Sequence, residues 1–188
     1  MSFAYKRVVV KISGEALAGD KKTGFDFEFI SKVCDTINRC TAMGAEVGIV
    51  VGGGNFWRGV KDGAGHVERV SADRMGMLAT AMNCLAFADV LRQRGGEAKV
   101  LTAVDIQGVG ERYSTDKAVE YLRSGKVVMF GCGTGSPFFS TDTAAVLRAA
   151  EIGADAILLA KNIDGVYSAD PKVDPSAVKY DSISYDDV

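Results

Sequence analysis

RVVVKIS, residues 7–13, is a short run of β-branched residues that stops at a glycine, and it reads as a strand. Runs of the same kind recur at EVGIVV (46–51), AKVLTA (98–103), KVVMF (126–130) and DAILLA (155–160). Several are apolar on both faces, the pattern of strands in a parallel sheet covered by helices on each side. Helical patterns fill the spaces between them: FDFEFISKVCDTINRCTAMG (25–44), DRMGMLATAMNCLAFADVLRQRGG (73–96) and STDTAAVLRAAEIG (140–153), each ending at glycine. In the second, Met75, Leu78, Met82 and Leu85 recur in steps of three, four and three, and are expected to form its core face. Strand and helix in alternation predict an α/β fold, a three-layer sandwich with a mostly parallel central sheet. The last stretch, SADPKVDPSAVKYDSISYDDV (168–188), holds two Asp-Pro steps and several turn formers, and is less regular.

Composition narrows the function classes. The 188 residues suffice for one domain with a proper core, and 47% hydrophobic with 24% charged residues is ordinary for a globular protein. A formal net charge of −2 argues against a nucleic-acid partner, which favours a basic stripe, but not against a small anionic ligand. Cys34, Cys40, Cys84 and Cys132 make no CxxC pair and no zinc-like spacing, and are expected as small buried hydrophobes in a reducing compartment. His66 is the single histidine, so multi-imidazole metal sites are poorly supplied; it is expected at the surface. No signal-peptide pattern and no membrane-length apolar run is present, so the expectation is a cytoplasmic protein with no membrane partner.

In open α/β sheets ligands gather at the carboxyl ends of the strands. KISGEAL (11–17), GGGNFWRG (52–59) and GTGSPFFSTD (133–142) follow the first, second and fourth strands, each with glycine for close backbone approach. Glycine loops running into helices offer N–H groups to anions, and three on one edge are hard to dismiss. The familiar nucleotide fingerprints fail. The Gly125-Lys126 pair is followed by Val127, with Glu120 where a P-loop needs its first glycine. Trp57 and Phe138 stand where Gly-x-G-x-x-Gly would need the last glycine.

KISGEAL, VVGGGNFWRG (50–59), DRMGMLATAMN (73–83), GTGSPFFSTDTAA (133–145) and DGVYSADP (164–171), taken in order, resemble the bacterial uridylate kinases of the amino-acid kinase family. The likeness runs from about Tyr5 to the last residue. Members of that family continue beyond it with a further helix and strands completing an ATP-side lobe. The resemblance therefore implies a C-terminally incomplete kinase domain over 1–188, with an acceptor lobe at about 5–153 and the start of an ATP lobe at about 154–188.

What the resemblance implies is transfer of the ATP γ-phosphoryl group to UMP, in pyrimidine nucleotide biosynthesis, with Mg²⁺ accompanying ATP. The acceptor is itself a phosphate whose second pKa is about 6, so no general base is needed. Catalysis is then positioning plus positive electrostatics. Lys11 is expected as the main cation, with Arg58 supplying another and Asp142 orienting Lys11 or the metal-bound phosphates. Ile12, Ser13, Gly14 and Gly54 are expected along the ATP phosphates, and Asn162, Tyr167 and Asp170 near adenine and ribose. UMP is expected against Gly53, Asp73, Thr134, Gly135, Ser136, Pro137, Phe138, Phe139, Ser140 and Thr141, with the two phenylalanines as an apolar wall. No protein-built metal cage is expected.

Read without the resemblance, Lys11 is a strand-end lysine, Arg58 a surface residue beside a tight turn, Asp73 a carboxylate in a first helical turn and Asp142 an N-cap. The resemblance further implies a homo-oligomer, hexameric in the family, and a loop near LAGDKKTGFD (17–26) bearing on regulation by GTP. Two rival readings stand beside it. One is an amino-acid kinase acting on a carboxylate or carbamate, and the other a nucleotide-binding module without turnover.

Overall fold

A computed structural model describes residues 4–58, 65–160, 163–184 and 186–187. Six parallel strands form one sheet in the order β4-β3-β5-β2-β1-β6. They are β1 (Arg7–Ile12), β2 (Glu46–Val51), β3 (Ala98–Thr102), β4 (Glu111–Arg112), β5 (Val127–Gly131) and β6 (Ala156–Ala160). The helices are α1 (Gly14–Ala18), α2 (Phe27–Ala42), α3 (Arg69–Gln93), α4 (Thr115–Arg123) and α5 (Thr141–Ile152). β7 (Val166–Tyr167) and β8 (Lys179–Tyr180) form a separate antiparallel pair.

β2 lies inside the sheet and every one of its residues is buried. Its side chains alternate between two cores, as a pleated strand requires. Val47, Ile49 and Val51 join Leu17 of α1, Ile30 and Cys34 of α2, and Phe87 and Leu91 of α3. Val50 joins Leu122 of α4, and Ala145 and Ile152 of α5, on the other face. Gly48 leaves room for a ring from the neighbouring strand: a Cβ there would stand 2.7 Å from Phe130. The expected three-layer α/β sandwich with a parallel sheet is the fold observed.

Caps explain where the helices begin. The Asp26 carboxylate accepts from Glu28 N and Phe29 N to open α2, and Ser140 Oγ accepts from Thr143 N to open α5. Gly153, at φ 62°, closes α5 in the left-handed conformation. Asp142 sits in the first turn of α5 but is not its cap, because Ser140 fills that role.

Two expectations need correction. Met75, Leu78, Met82 and Leu85 do not face the core; they are 40%, 52%, 46% and 39% exposed. The buried residues of α3 are instead Ala72, Ala79, Thr80, Ala81, Asn83, Cys84, Phe87, Ala88 and Leu91. Small residues in its first half let the helix backbone approach the glycine loop, which turns the large side chains outward. The second correction concerns the start of α3. It begins at Arg69, so Asp73 lies in its second turn and pairs with Arg69 one turn back, rather than serving the helix end.

Candidate active site

β2 delivers its chain to α3 on one face of the sheet, whereas the adjacent β5 delivers its chain to α5 on the other. The divergence opens a crevice at the strands' carboxyl ends, where such folds bind ligands. A cleft of about 390 Å³ occupies it. Gly53, Gly54, Trp57 and Arg58 line it from the β2 loop; Asp73, Gly76, Met77 and Thr80 line it from α3. Cys132, Gly133, Thr134, Ser136, Phe139, Ser140 and Thr141 complete it from the β5 loop and the start of α5.

Lys11 reaches across the sheet end from β1. Its ammonium lies 2.9 Å from Asp142 Oδ1, and the lysine is only 7% exposed. A desolvated ammonium of this kind persists because a carboxylate faces it. Beside it Ser13 caps α1 by accepting from Ala16 N, while Ile12 sends its side chain into the core and accepts from Gly52 N with its carbonyl. Gly14 is where the two glycine loops touch. A Cβ on it would meet Gly52 O and Gly54 N, each at 2.6 Å. Arg58 donates to Glu15 Oε1 at 2.8 Å, so a carboxylate of the first loop balances the cation of the second.

The β5 loop is held by side chains from α3 and α5. Cys132 adopts φ 65°, unusual for a non-glycine residue, and its N–H donates to Thr80 Oγ1 at 2.8 Å. Next to it Gly133 O accepts from Arg148 Nη2 at 3.3 Å. Arg148 is buried, bonds Glu151 at 2.6 Å and stacks 3.9 Å over the Tyr113 ring. The Tyr113 hydroxyl donates to the same Glu151, and burial pushes its pKa above the ordinary value. Further along, Phe138 N–H donates to Asp73 Oδ2 at 2.8 Å, and Arg69 lies 5.1 Å from the Phe138 ring centre. Phe138 also has a positive φ, 71°, so the loop tip is pinned to α3 in a conformation it would not choose alone.

Most of the residues expected from sequence come together here. Lys11 and Asp142 pair, and Gly53, Gly54, Arg58, Asp73, Thr134, Ser136, Phe139, Ser140 and Thr141 share the cleft wall. Gly135, Pro137 and Phe138 belong to the same loop but do not line the cleft; Phe138 is 64% exposed. Tyr167 and Asp170 bond within the C-terminal segment instead, Tyr167 to Asp164 and Asp170 to Lys172 N. Asn162 lies outside the described residues. Sequence reasoning passed over Arg148, Thr80 and Glu15. Arg148 had a signal: it is the single basic residue of α5, set among alanines and leucine on a helix that packs against the sheet.

Comparison with known proteins fits this geometry. The amino acid kinase family model matches residues 6–188. A uridylate kinase of Pediococcus pentosaceus is 51% identical over 185 residues, covering 98% of this chain and 77% of the relative. The crystal structure of a UMP kinase from Bacillus anthracis superposes with a TM-score of 0.88 at 40% identity, over 94% of this chain and 73% of that one. A UMP kinase from Ureaplasma parvum gives 0.90 at 35% identity, over 98% and 78%. With the family model matching nearly every residue and a relative sharing half of them, the chain belongs to the amino acid kinase family, alongside its uridylate kinases.

Proposed function

We propose that this chain transfers the γ-phosphoryl group of ATP to UMP, giving UDP and ADP. The observation that carries this reading is one cleft in which the 52–54 glycine loop faces the 132–141 loop beside the buried Lys11, in a chain 51% identical to a uridylate kinase. A UMP phosphate oxygen forms the new bond to the γ-phosphorus, and the bond from that phosphorus to the β,γ-bridging oxygen breaks. The reacting oxygen carries charge already, so what the protein supplies is positive potential and alignment.

Lys11 meets the transferring group, Arg58 leaves Glu15 for the phosphates, and Asp142 keeps Lys11 in place. The 133–141 loop encloses uracil and ribose, with Phe139 as an apolar wall and Asp73 near the ribose hydroxyls. Ser13, Gly14 and Gly54 line the ATP phosphates, while Asn162, Tyr167 and Asp170 belong to an ATP lobe beginning near residue 154. Mg²⁺ travels with ATP. Asp142 is the carboxylate beside Lys11 that fits its water shell, and the ion would neutralise β- and γ-phosphate charge there. Among the described residues no cluster of three or more His, Cys, Asp or Glu could hold a metal ion. No helix among them is long and apolar enough to cross a membrane. The exposed stripe on α3 supports a homo-oligomer.

A thermal-shift titration against UMP, CMP, AMP, aspartate and N-acetylglutamate, followed by an ADP-release assay, tests this. A ligand at about 100 times its dissociation constant adds roughly 2.7 kcal/mol, easily visible as a shift in Tm. A response to UMP with UMP-dependent ADP formation is expected. A response to an amino acid and none to UMP would transfer the chain to the carboxylate kinases.

A further inference from the structure

Beneath the glycine loop two amides close on each other. Asn83 Nδ2 donates to Asn55 Oδ1 at 2.7 Å, and Asn55 Nδ2 donates back to Asn83 Oδ1 at 2.9 Å. Both residues are buried, Asn55 2% and Asn83 0% exposed. Their remaining protons go to backbone carbonyls: Asn83 Nδ2 to Gly52 O at 2.6 Å, and Asn55 Nδ2 to Gly24 O at 2.9 Å. A carbonyl only accepts, so Gly52 and Gly24 dictate which way each amide is turned.

The bond to Gly52 has a consequence on the other side of the peptide. In a planar trans peptide the C=O and the following N–H point in opposite directions. With Gly52 O held against α3, the Gly53 N–H points away from Asn83. Gly53 lines the cleft, and among the described residues its N–H has no hydrogen-bond acceptor. Glycine is required at these positions for close approach: a Cβ on Gly52 would stand 2.9 Å from Gly14 N, and one on Gly53 2.9 Å from Gly76 O. The same glycines leave the peptide free to rotate. A flipped peptide would present a carbonyl oxygen, not a donor, to a polyanion.

We propose that Asn83 is a positioning residue for phosphoryl transfer: by clamping the Gly52 carbonyl to α3, it aims the Gly53 N–H at the transferring phosphate. This rests on the kinase reading above. Asn83 supplies from the helix the rigidity that the glycine loop lacks, and touches no substrate itself. Asn55 closes the pair from the side of residue 24 and leaves Gly52 to Asn83.

The test compares Asn83→Leu with Asn55→Leu in the 188-residue chain. Each opens the same buried pair, so both should lower Tm by similar amounts. Only Asn83→Leu frees the Gly52 carbonyl. Its kcat should fall by roughly 10–10², the scale of a displaced transition-state donor. KM for UMP should stay within about 3-fold, and Asn55→Leu should hold kcat within about 3-fold. Equal kcat losses in the two variants would reduce Asn83 to a fold-stabilising residue.

Amide spectra of ¹⁵N-glycine-labelled protein give a second readout that needs no turnover. UMP and inorganic tripolyphosphate are added separately. Movement of the Gly53 amide in the unsubstituted and Asn55→Leu proteins, lost in Asn83→Leu, supports the proposal. Equal movement in all three, or movement in none, overturns it. A response to tripolyphosphate without one to UMP would sink the acceptor assignment alone, because the comparison between variants still decides the role of Asn83.

Discussion

The Lys11 ammonium and the Asp142 carboxylate lie 2.9 Å apart but in unequal surroundings, their side chains 8% and 47% exposed. The lysine has given up its water and the aspartate has kept much of its own. Asp142 also stands in the first turn of α5, where the helix dipole supports a carboxylate. Losing the aspartate therefore strands a buried cation, whereas losing the lysine leaves an anion that can solvate. Asp142→Asn is expected to lower stability by about 1–3 kcal/mol, the cost of an uncompensated buried polar group, and Lys11→Met by clearly less. Activity should rank the other way, with Lys11→Met reducing kcat by roughly 10²–10³. Urea unfolding and steady-state kinetics on the two variants read both rankings; equal stabilities would mean that Lys11 is better solvated than its burial implies.

Gly14 and Gly76 make opposite predictions for the same substitution. At Gly14 a Cβ would press on Gly52 O and Gly54 N at 2.6 Å, and both are backbone atoms of the opposing loop. Gly14→Ala should cost about 1–3 kcal/mol by overpacking and abolish most activity by parting the two loops. Gly76 is helical, and the nearest atom to a Cβ there is Trp57 Cδ1 at 3.8 Å, ordinary contact. Gly76→Ala should stabilise the protein by up to about 1 kcal/mol, because alanine is the better helix former. Melting curves of the two variants on opposite sides of the parent would establish both effects.

The strands were legible in the sequence because each is a short apolar run, most of them rich in β-branched residues, and five of the six sheet strands lie where those runs stand. β4 escaped because it is only Glu111–Arg112, too short for any periodicity, and α4, between β4 and β5, because its nine residues bury only Ala118 and Leu122, too few to make a face that repeats. The orientation of α3 was misjudged for a physical reason. A spacing of three and four marks a face but does not say which way it points, and here alanine faces the sheet so that the helix can lie close to Gly53. At the site, residues inside glycine-rich motifs were visible as candidates. Arg148, Thr80 and Asn83 were not, because each acts on a backbone group far away in sequence and needs the fold to bring it there.

Asp155 ties the start of β6 to the start of β1. Its Oδ2 accepts from the N–H groups of Lys6 and Arg7, and those bonds hold its pKa below the ordinary 3.8. A carboxyl depressed in the folded state stabilises fully above its unfolded pKa, and that stabilisation disappears as pH falls through the lower folded value. Asp155→Asn should therefore lower Tm at pH 7, and the gap to the parent should close as the pH drops below about 3.8. A gap of constant size from pH 7 to pH 3 would show that the loss does not depend on the charge of the carboxylate.

The outward face of α3 carries the last prediction. Met75, Leu78, Met82 and Leu85 follow a 3-4-3 spacing, which lays a continuous apolar seam along a helix. A seam of this kind on one chain matches the same seam on a second copy about a two-fold axis. Leu78→Glu, at a site already 52% exposed, removes little intramolecular packing but places a charge in the middle of any such contact. The monomer should fold with nearly unchanged secondary structure, while sedimentation equilibrium should show a smaller assembly than the parent. UMP binding should weaken as well, since Asp73 and Thr80 stand on the same helix and face the cleft. A parent that already sediments as a monomer, or a variant with unchanged mass, would mean that copies of the chain do not meet through this seam.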